Sequence, residues 1–152
     1  MPAQRDYFAE LYVAGLLADA GWNVYFPHRD RGMDFLATMT TRDGLEMIRP
    51  VQVKGKYPSH DKTSKTVYGY IGRLNQIHPD MILAIPFFGS GSPGPPLFTA
   101  FMSFSQVRRH SRGYRCQPAS FKAGRASPRR DFRRFVDEAG LQLVATPGWS
   151  SL

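Results

Sequence analysis

Cysteine is almost absent from this sequence of 152 residues, because Cys116 is the only one. A single cysteine excludes an intrachain disulfide and a zinc site built from several cysteines. No apolar run approaches the ~18 residues of a membrane-spanning helix. The N-terminal stretch MPAQRDYFAE holds charges where a signal peptide needs its apolar centre. These absences predict a cytoplasmic protein that has no membrane partner.

Acidic residues are scarce in one segment of the chain. Residues 101–134 hold 10 Lys and Arg and a single acid, whereas residues 1–100 hold 10 basic and 9 acidic residues. The net charge of +8 therefore comes from residues 101–134, where Tyr114, Phe121 and Phe132 stand among the basic residues. This combination is typical of proteins that bind nucleic acid, and DNA is the partner expected first. The alternative is a solvated basic loop that keeps the protein soluble.

The basic segment supplies seven candidate phosphate contacts, which are Arg108, Arg109, Arg112, Arg129, Arg130, Arg133 and Arg134. The stretch SPRRDFRRFVDEAG predicts a closing helix over residues 127–140, with Ser127 as N-cap, Pro128 at the first position and Gly140 as the stop. On such an α-helix, arginines four residues apart share a face, so at least one pair could reach a DNA backbone.

The remaining pattern predicts one domain, with a core over residues 4–104 and a basic C-terminal segment over 105–140. A first helix is expected over residues 4–21 and ends at Gly21, with Tyr7, Leu11, Ala14, Leu17 and Ala18 on its apolar face and Glu10 inside that face. A second, short helix is expected in residues 70–79. Strands are expected in residues 22–27, 33–39, 45–54, 81–88 and 97–104, and residues 141–145 are expected to be a strand or a packed tail.

This order, α-β-β-β-α-β-β-α, predicts an α/β (α+β) fold with one mixed central sheet flanked by helices. Asp43-Gly44 is a strong signal for a hairpin between the second and third strands. Pro50 has no N–H to donate to a neighbouring strand. It is therefore expected to mark a bulge or an irregular start in the third strand.

The candidate metal ligands lie in the hairpin RGMDFLATMTTRDGLEMIRPVQVKGK. Residues two apart in a strand share a face, so Gln52 and Lys54 project together while Val51 and Val53 enter the core. Pairing around the turn brings Asp34 close to them. Carboxylate, amide and carbonyl oxygens are ligands for Mg²⁺ or Mn²⁺, so Asp34, Gln52 and the Val53 backbone carbonyl are candidate metal ligands.

Two further residues complete the candidate catalytic set. Lys54 could orient or deprotonate an attacking water and neutralise charge on a phosphate. Glu10, presented inward by the first helix, could complete the outer metal shell.

These residues resemble the signature of the PD-(D/E)XK nucleases of the restriction-endonuclease-like fold. That family has an Asp opening the second core strand, (Glu/Gln)-x-Lys on the third and often a Glu on the first helix. The matching residues are Glu10 in FAELYVAGLL, Asp34 in RGMDFLA, and Gln52 and Lys54 in PVQVKGK, and the resemblance covers roughly residues 4–88. It is closest to the Holliday-junction-resolvase and methyl-directed restriction branches, where Gln is accepted in the third strand.

The resemblance implies metal-dependent hydrolysis of phosphodiester bonds. The sequence departs from the family at Met33, where a proline usually stands, at Pro50, and at Gln52 in place of Glu. The lost negative charge at Gln52 leaves open a catalytically weak or inactive nuclease-fold protein that binds nucleic acid. A structural subunit whose basic tail docks on RNA or an acidic protein is a third hypothesis, and a homodimer is left open.

Each residue also has a structural interpretation. Glu10 could form an ion pair with Arg31 or Lys54, and Asp34 could cap a turn after Gly32. Gln52 and Lys54 could be the solvent face of an edge strand, which is the commonest fate of an alternating pattern.

Overall fold

The computed structural model describes residues 4–29, 32–57, 70–72, 74, 77–89, 94–122 and 125–152. Within these residues the chain forms two α-helices, α1 (Gln4–Asp19) and α2 (Asp137–Val144), and short 3₁₀ helices at Phe104–Gln106, Arg130–Phe135 and Trp149–Ser151. The strands are β1 (Asn23–Tyr25), β2 (Phe35–Thr40), β3 (Glu46–Val53), β4 (Tyr70–Gly72), β5 (Ile82–Phe87), β6 (Phe98–Ser103), β7 (Arg108–His110), β8 (Gly113–Arg115), β9 (Ala119–Lys122) and β10 (Arg125–Pro128).

The central sheet has five strands in the order β1-β2-β3-β5-β6. Only β3 and β5 run parallel, and the other neighbours are antiparallel. The mixed α/β class predicted from the sequence is therefore confirmed. β5 and β6 are buried along their whole length, as the apolar run over residues 81–88 predicted.

The β2–β3 hairpin forms where Asp43-Gly44 predicted it. Gly44 has a φ of +80°, the left-handed conformation that such a turn requires and that glycine adopts without strain. The register is continuous from Phe35 opposite Val51 to Thr40 opposite Glu46.

The expectation of a bulge at Pro50 is wrong, because this residue lies directly opposite Leu36 in an unbroken register. The pairing of β3 with β5 begins only at Val51. Pro50 therefore lies where one side of β3 has no neighbouring strand in the described sheet, and proline tolerates such a position.

Helix α1 ends as the sequence predicts. Gly21 has a φ of +101°, its N–H donates to the Ala18 carbonyl, and the Trp22 N–H donates to the Leu17 carbonyl. These two bonds form a Schellman motif, in which Trp22 and Leu17 are both buried.

The predicted apolar face of α1 is rotated from the observed one. Tyr7, Leu11 and Ala18 are exposed, whereas the buried residues are Ala9, Val13, Ala14 and Leu17. Smaller side chains therefore face the sheet and let the helix approach it closely.

The predicted closing helix over residues 127–140 is wrong. Ser127 belongs to β10, and the chain then forms the 3₁₀ helix Arg130–Phe135 before α2 begins. Asp137 has a φ of +53°, which breaks the helical path between the two.

Gly140 is buried inside α2 instead of stopping a helix. A Cβ there would lie 2.3 Å from the Phe135 carbonyl oxygen and 2.9 Å from the Phe101 ring, so close packing requires glycine. Residues 141–144 continue α2.

The expected short helix in residues 70–79 is also not observed, because Tyr70–Gly72 forms β4. Residues 73, 75 and 76 of that stretch lie outside the described residues. β4 pairs with β8, and β8 with β7, so the basic segment contributes to a second sheet that the sequence did not predict. In the described part of the chain, no helix has the length and apolar character needed to cross a membrane.

Candidate functional site

Asp34 meets the end of β3 across the hairpin. Its Oδ2 accepts a hydrogen bond from the Val53 backbone N–H at 2.7 Å, and its own N–H donates to the Val51 carbonyl at 3.0 Å. The Asp34 N–H reaches Val51, the residue that Phe35 already opposes, so the regular register ends at Phe35 and Asp34 lies just outside β2, beside the end of β3. This hydrogen bond holds the Asp34 carboxylate against β3. Asp34 therefore does more than cap a turn after Gly32.

Gln52 is enclosed at the centre of the sheet and is only 3% exposed. Its side-chain Nε2 donates to the Gly32 carbonyl oxygen, which fixes the plane of the amide. β3 lies between β2 and β5, so the interpretation of Gln52 and Lys54 as the face of an edge strand is wrong. A buried polar side chain in a central strand needs a specific partner, and Gln52 has one.

Beyond β3, the chain stays extended alongside β5. The Lys54 N–H donates to the Ala84 carbonyl and the Lys56 N–H to the Pro86 carbonyl, both at 2.9 Å. Side chains two apart on such a strand share a face, so Gln52, Lys54 and Lys56 form one row. The N–H and C=O of one strand residue point to the same side. The Val53 carbonyl is therefore directed towards Asp34, as its N–H is.

Lys56 is the residue of this row that the sequence reasoning missed. Burial and, to a smaller extent, the positive charge of Lys54 lower the pKa of its ammonium from 10.5 to about 8, although Cys116 partly opposes the change. Burial also raises the pKa of the Cys116 thiol to about 12, so this cysteine is a neutral core residue. The alternation Gln52-x-Lys54-x-Lys56 was the signal in the sequence that could have identified it.

Glu10 is half-buried in α1. The same helix carries Phe8, whose ring lies 6.0 Å from Phe88, and Phe88 stacks on Tyr57 at 4.6 Å. Since Tyr57 follows Lys56 directly, this part of α1 reaches the end of the sheet where the row of Gln52, Lys54 and Lys56 ends. Arg31, the other expected partner of Glu10, lies outside the described residues.

The basic hairpin β7–β8 is exposed. Arg108 lies directly opposite Arg115 and Arg109 opposite Tyr114, and all three arginines are exposed. Like charges opposed across a strand pair destabilise the hairpin. Arg112, in the turn between the strands, is exposed as well. A polyanion bound on this hairpin would relieve the repulsion.

The other arginine cluster lies on the 3₁₀ helix and the residue before it. Arg129 donates to the Gln117 carbonyl at 3.1 Å and lies over the Phe132 ring, while Arg134 lies 4.5 Å over the Phe135 ring. In a 3₁₀ helix residues three apart eclipse each other. The expectation that 129 pairs with 133 and 130 with 134 is therefore wrong, and Arg130 and Arg133 are the arginines that share a face.

Gln117 connects the two arginine clusters. Its carbonyl accepts from Arg129, and its side-chain oxygen accepts from Arg115 of β8 at 3.1 Å. Gln117 therefore links β8 to the 3₁₀ helix.

The donors at the hairpin fit a hard cation only in part. Asp34 offers a carboxylate, and Gln52 and Val53 offer neutral oxygens, which suits Mg²⁺ when waters and a substrate phosphate supply the other ligands. Among the described residues, no group of three or more His, Cys, Asp and Glu is placed to hold a metal ion. The negative charge available to an ion here comes chiefly from Asp34.

The comparisons with protein-family models, curated proteins and solved structures found no match to this chain.

Replacing Lys56 with Met should raise the free energy of unfolding at pH 7, because the folded state no longer carries a buried charge. The gain should be about 1–2 kcal/mol, below the limit set by about 1.4 kcal/mol per pKa unit, since solvent screens part of the charge. The folded-state pKa of about 8 lies below the unfolded value. Wild-type stability should therefore rise between pH 8 and about 10, as the folded state loses its proton first.

Urea unfolding at pH 7 and pH 9.5 measures both effects. The increase in the free energy of unfolding caused by Lys56→Met should be smaller at pH 9.5 than at pH 7. Arg42→Met, in the exposed turn between β2 and β3, should change the free energy of unfolding by the same amount at both pH values. An advantage of equal size at both pH values would contradict the assignment of the pKa change to Lys56.

Proposed function

We propose that the protein is a metal-dependent nuclease that hydrolyses phosphodiester bonds in DNA, with Mg²⁺ or Mn²⁺ as its cofactor. The observation that supports this most directly is the contact of Asp34 with the Gln52-Val53-Lys54 end of β3, made through the Val53 N–H. A carboxylate, an amide and an ammonium group on neighbouring strands is the donor set that the resemblance to PD-(D/E)XK nucleases implies.

Each residue of the site has a role in this proposal. Asp34, the Gln52 amide oxygen and the Val53 carbonyl would hold the ion, which when bound polarises the phosphate and makes its water more acidic. Lys54 orients the attacking water and balances the charge that develops on the phosphate. Glu10 supports the outer shell from α1. Lys56 adds a second positive charge beside Lys54.

The order of elements supports a restriction-endonuclease-like core. A helix carrying Glu10 is followed by three antiparallel strands, Asp34 stands directly before the second strand, and Gln52 and Val53 end the third. The parallel strand β5 then pairs with Val51, Gln52 and Val53, and the Lys54 N–H donates to the Ala84 carbonyl of β5. This pairing rigidly fixes the candidate ligands, as a catalytic site requires.

DNA is the proposed substrate because the described residues carry an exposed basic surface. Arg108, Arg109 and Arg112 of the β7–β8 hairpin, with Arg130 and Arg133 of the 3₁₀ helix, are exposed. Their charges would neutralise backbone phosphates and hold a scissile bond near Asp34. A cytoplasmic location belongs to the same proposal.

A second candidate is a nuclease-fold protein that binds nucleic acid with weak or no catalysis. The side chain of Gln52 favours it, because its amide nitrogen donates to the Gly32 carbonyl, a contact that a carboxylate could not make. Wild-type protein that binds DNA but leaves it intact with Mg²⁺ and with Mn²⁺ would establish this alternative.

Asp34→Asn should reduce Mg²⁺-dependent cleavage by at least about 100-fold while DNA affinity stays within about threefold, because the ion contributes several kcal/mol to the transition state. Asn keeps an oxygen for the Val53 N–H, so the hairpin stays folded. Lys54→Ala should lose cleavage to a similar extent. Both are measured with a labelled duplex and an electrophoretic assay.

Asp43→Asn is the matched control, because it removes one carboxylate from the exposed turn of the same hairpin. It should cleave at the wild-type rate. Full activity of Asp34→Asn or Lys54→Ala on a substrate that the wild type cuts would remove the nuclease proposal.

Gln52→Glu should bind the metal more tightly than the wild type and should lower the stability of the metal-free protein. The new carboxylate would face the Gly32 carbonyl in a site that is 3% exposed, and without an ion this should cost about 1–3 kcal/mol. Mn²⁺ should therefore raise the melting temperature of Gln52→Glu more than that of the wild type. Calorimetric titration with Mn²⁺ checks the affinity, and equal affinities would place Gln52 outside the ligand set.

The salt dependence of DNA binding tests the arginine surface. Replacing Arg130 and Arg133 together with Gln should make the slope of log K against log salt shallower by about 1–2 units, since each phosphate contact contributes about 0.9. Arg108→Gln with Arg109→Gln should act similarly. Arg129 and Arg134 are left intact because they pack on Phe132 and Phe135. Arg42→Gln is the control, and slopes that match it would show that the clusters do not contact DNA.

A further inference from the structure

A mainly apolar cavity adjoins the candidate site on the same face of the sheet. Its volume is about 520 Å³, within the range of pockets that hold small organic groups. Among the described residues, its apolar lining is formed by Pro27, Met33, Leu36, Pro50 and Ile77. The polar residues among the described lining are Arg29 and His78.

The cavity is in register with the candidate catalytic residues. Leu36 lies directly opposite Pro50. Pro50 precedes Gln52 by two residues in β3, so the Leu36–Pro50 pair lies on the face of the sheet that carries Gln52, about 6.6–6.8 Å along the strand. A group bonded to a phosphate at Asp34 and Gln52 would therefore reach the cavity.

Arg29 and His78 can both donate hydrogen bonds into the cavity. His78 accepts the Asp80 N–H at its Nδ1, at 3.1 Å, so its neutral ring carries the proton on Nε2. Arg29 offers a guanidinium, which only donates. The cavity thus combines apolar walls with donors, and it suits a planar, uncharged group that carries acceptor atoms.

We propose that this cavity binds one nucleobase, turned out of the helical stack, of the nucleotide whose phosphate lies at the candidate site. A base has apolar faces for Met33, Leu36 and Pro50 and acceptor atoms on its edge for His78 and Arg29. The inference rests on the proposed function, because the phosphate position is the one assigned to Asp34 and Gln52.

A preference among DNA substrates follows from this site. A base reaches such a pocket only after it leaves its stack, and this step is easiest in single-stranded, mismatched or bulged DNA. The protein should therefore bind DNA with one unpaired base about tenfold or more tightly than the fully paired duplex.

Oligonucleotides that carry 2-aminopurine at successive positions test the site in EDTA, where no cleavage occurs. A 2-aminopurine that leaves its stack for non-aromatic walls should become several times more fluorescent when the wild-type protein binds. Leu36→Gln and His78→Ala should lose most of this increase and reduce the preference for unpaired DNA. Ile48→Gln is the matched control, because Ile48 is an exposed apolar residue of β3 outside the cavity, and it should keep both.

Cleavage with Mg²⁺ is measured separately, so the two proposals fail in different ways. A fluorescence increase that Leu36→Gln removes supports the base pocket even if no DNA is cut. DNA binding without such an increase, or with an increase that the Leu36 and His78 variants keep, overturns the pocket even if DNA is cut. If the wild type binds no DNA at all, both proposals fall.

Discussion

The central position of β3 is the constraint on which the rest of the structure depends. β3 pairs with β2 along the hairpin and with β5 over its last three residues, Val51, Gln52 and Val53. Pairing on both sides leaves the backbone there no freedom, and it encloses Gln52. β2 begins at Phe35, opposite Val51, so the Val53 N–H lies beyond the paired part of β2 and donates to the Asp34 carboxylate. A polar cluster at the end of a buried strand costs stability, and such costs are common at functional sites.

Local signals in the sequence predicted the elements that local chemistry determines. The Asp43-Gly44 turn, Gly21 after α1 and the apolar run of β5 each depend on a few neighbouring residues. The contact of Asp34 with the end of β3 followed from the hairpin, because the turn brings the start of β2 to the end of β3. The central sheet class followed in turn from these strands.

The structural features that were not predicted from the sequence depend on contacts between distant segments. The chain leaves the helical path at Asp137, after Phe135 is buried, and Gly140 packs against Phe101 of β6. The residues of α1 that meet the sheet are those that β3 and β5 can accommodate, so helical periodicity alone gave a rotated face. Lys56 was missed because its burial arises from tertiary packing, which the local sequence does not show, and Cys116, which affects its pKa, lies 60 residues further along the chain.

The distribution of positive charge is the feature of the structure that the proposed substrate would account for. Lys56 is held beside Lys54 although burial and like charge both disfavour its ammonium, and Arg108 is held opposite Arg115 at the same cost in repulsion. Under the proposed function, a bound polyanion would offset the positive charge in both places. A single small anion could not span a lysine row and a hairpin, whereas a phosphodiester backbone carries charge at regular intervals along its length. Under the same proposal, the apolar cavity beside Leu36 and Pro50 would take the flat, uncharged base that a nucleotide carries next to each phosphate.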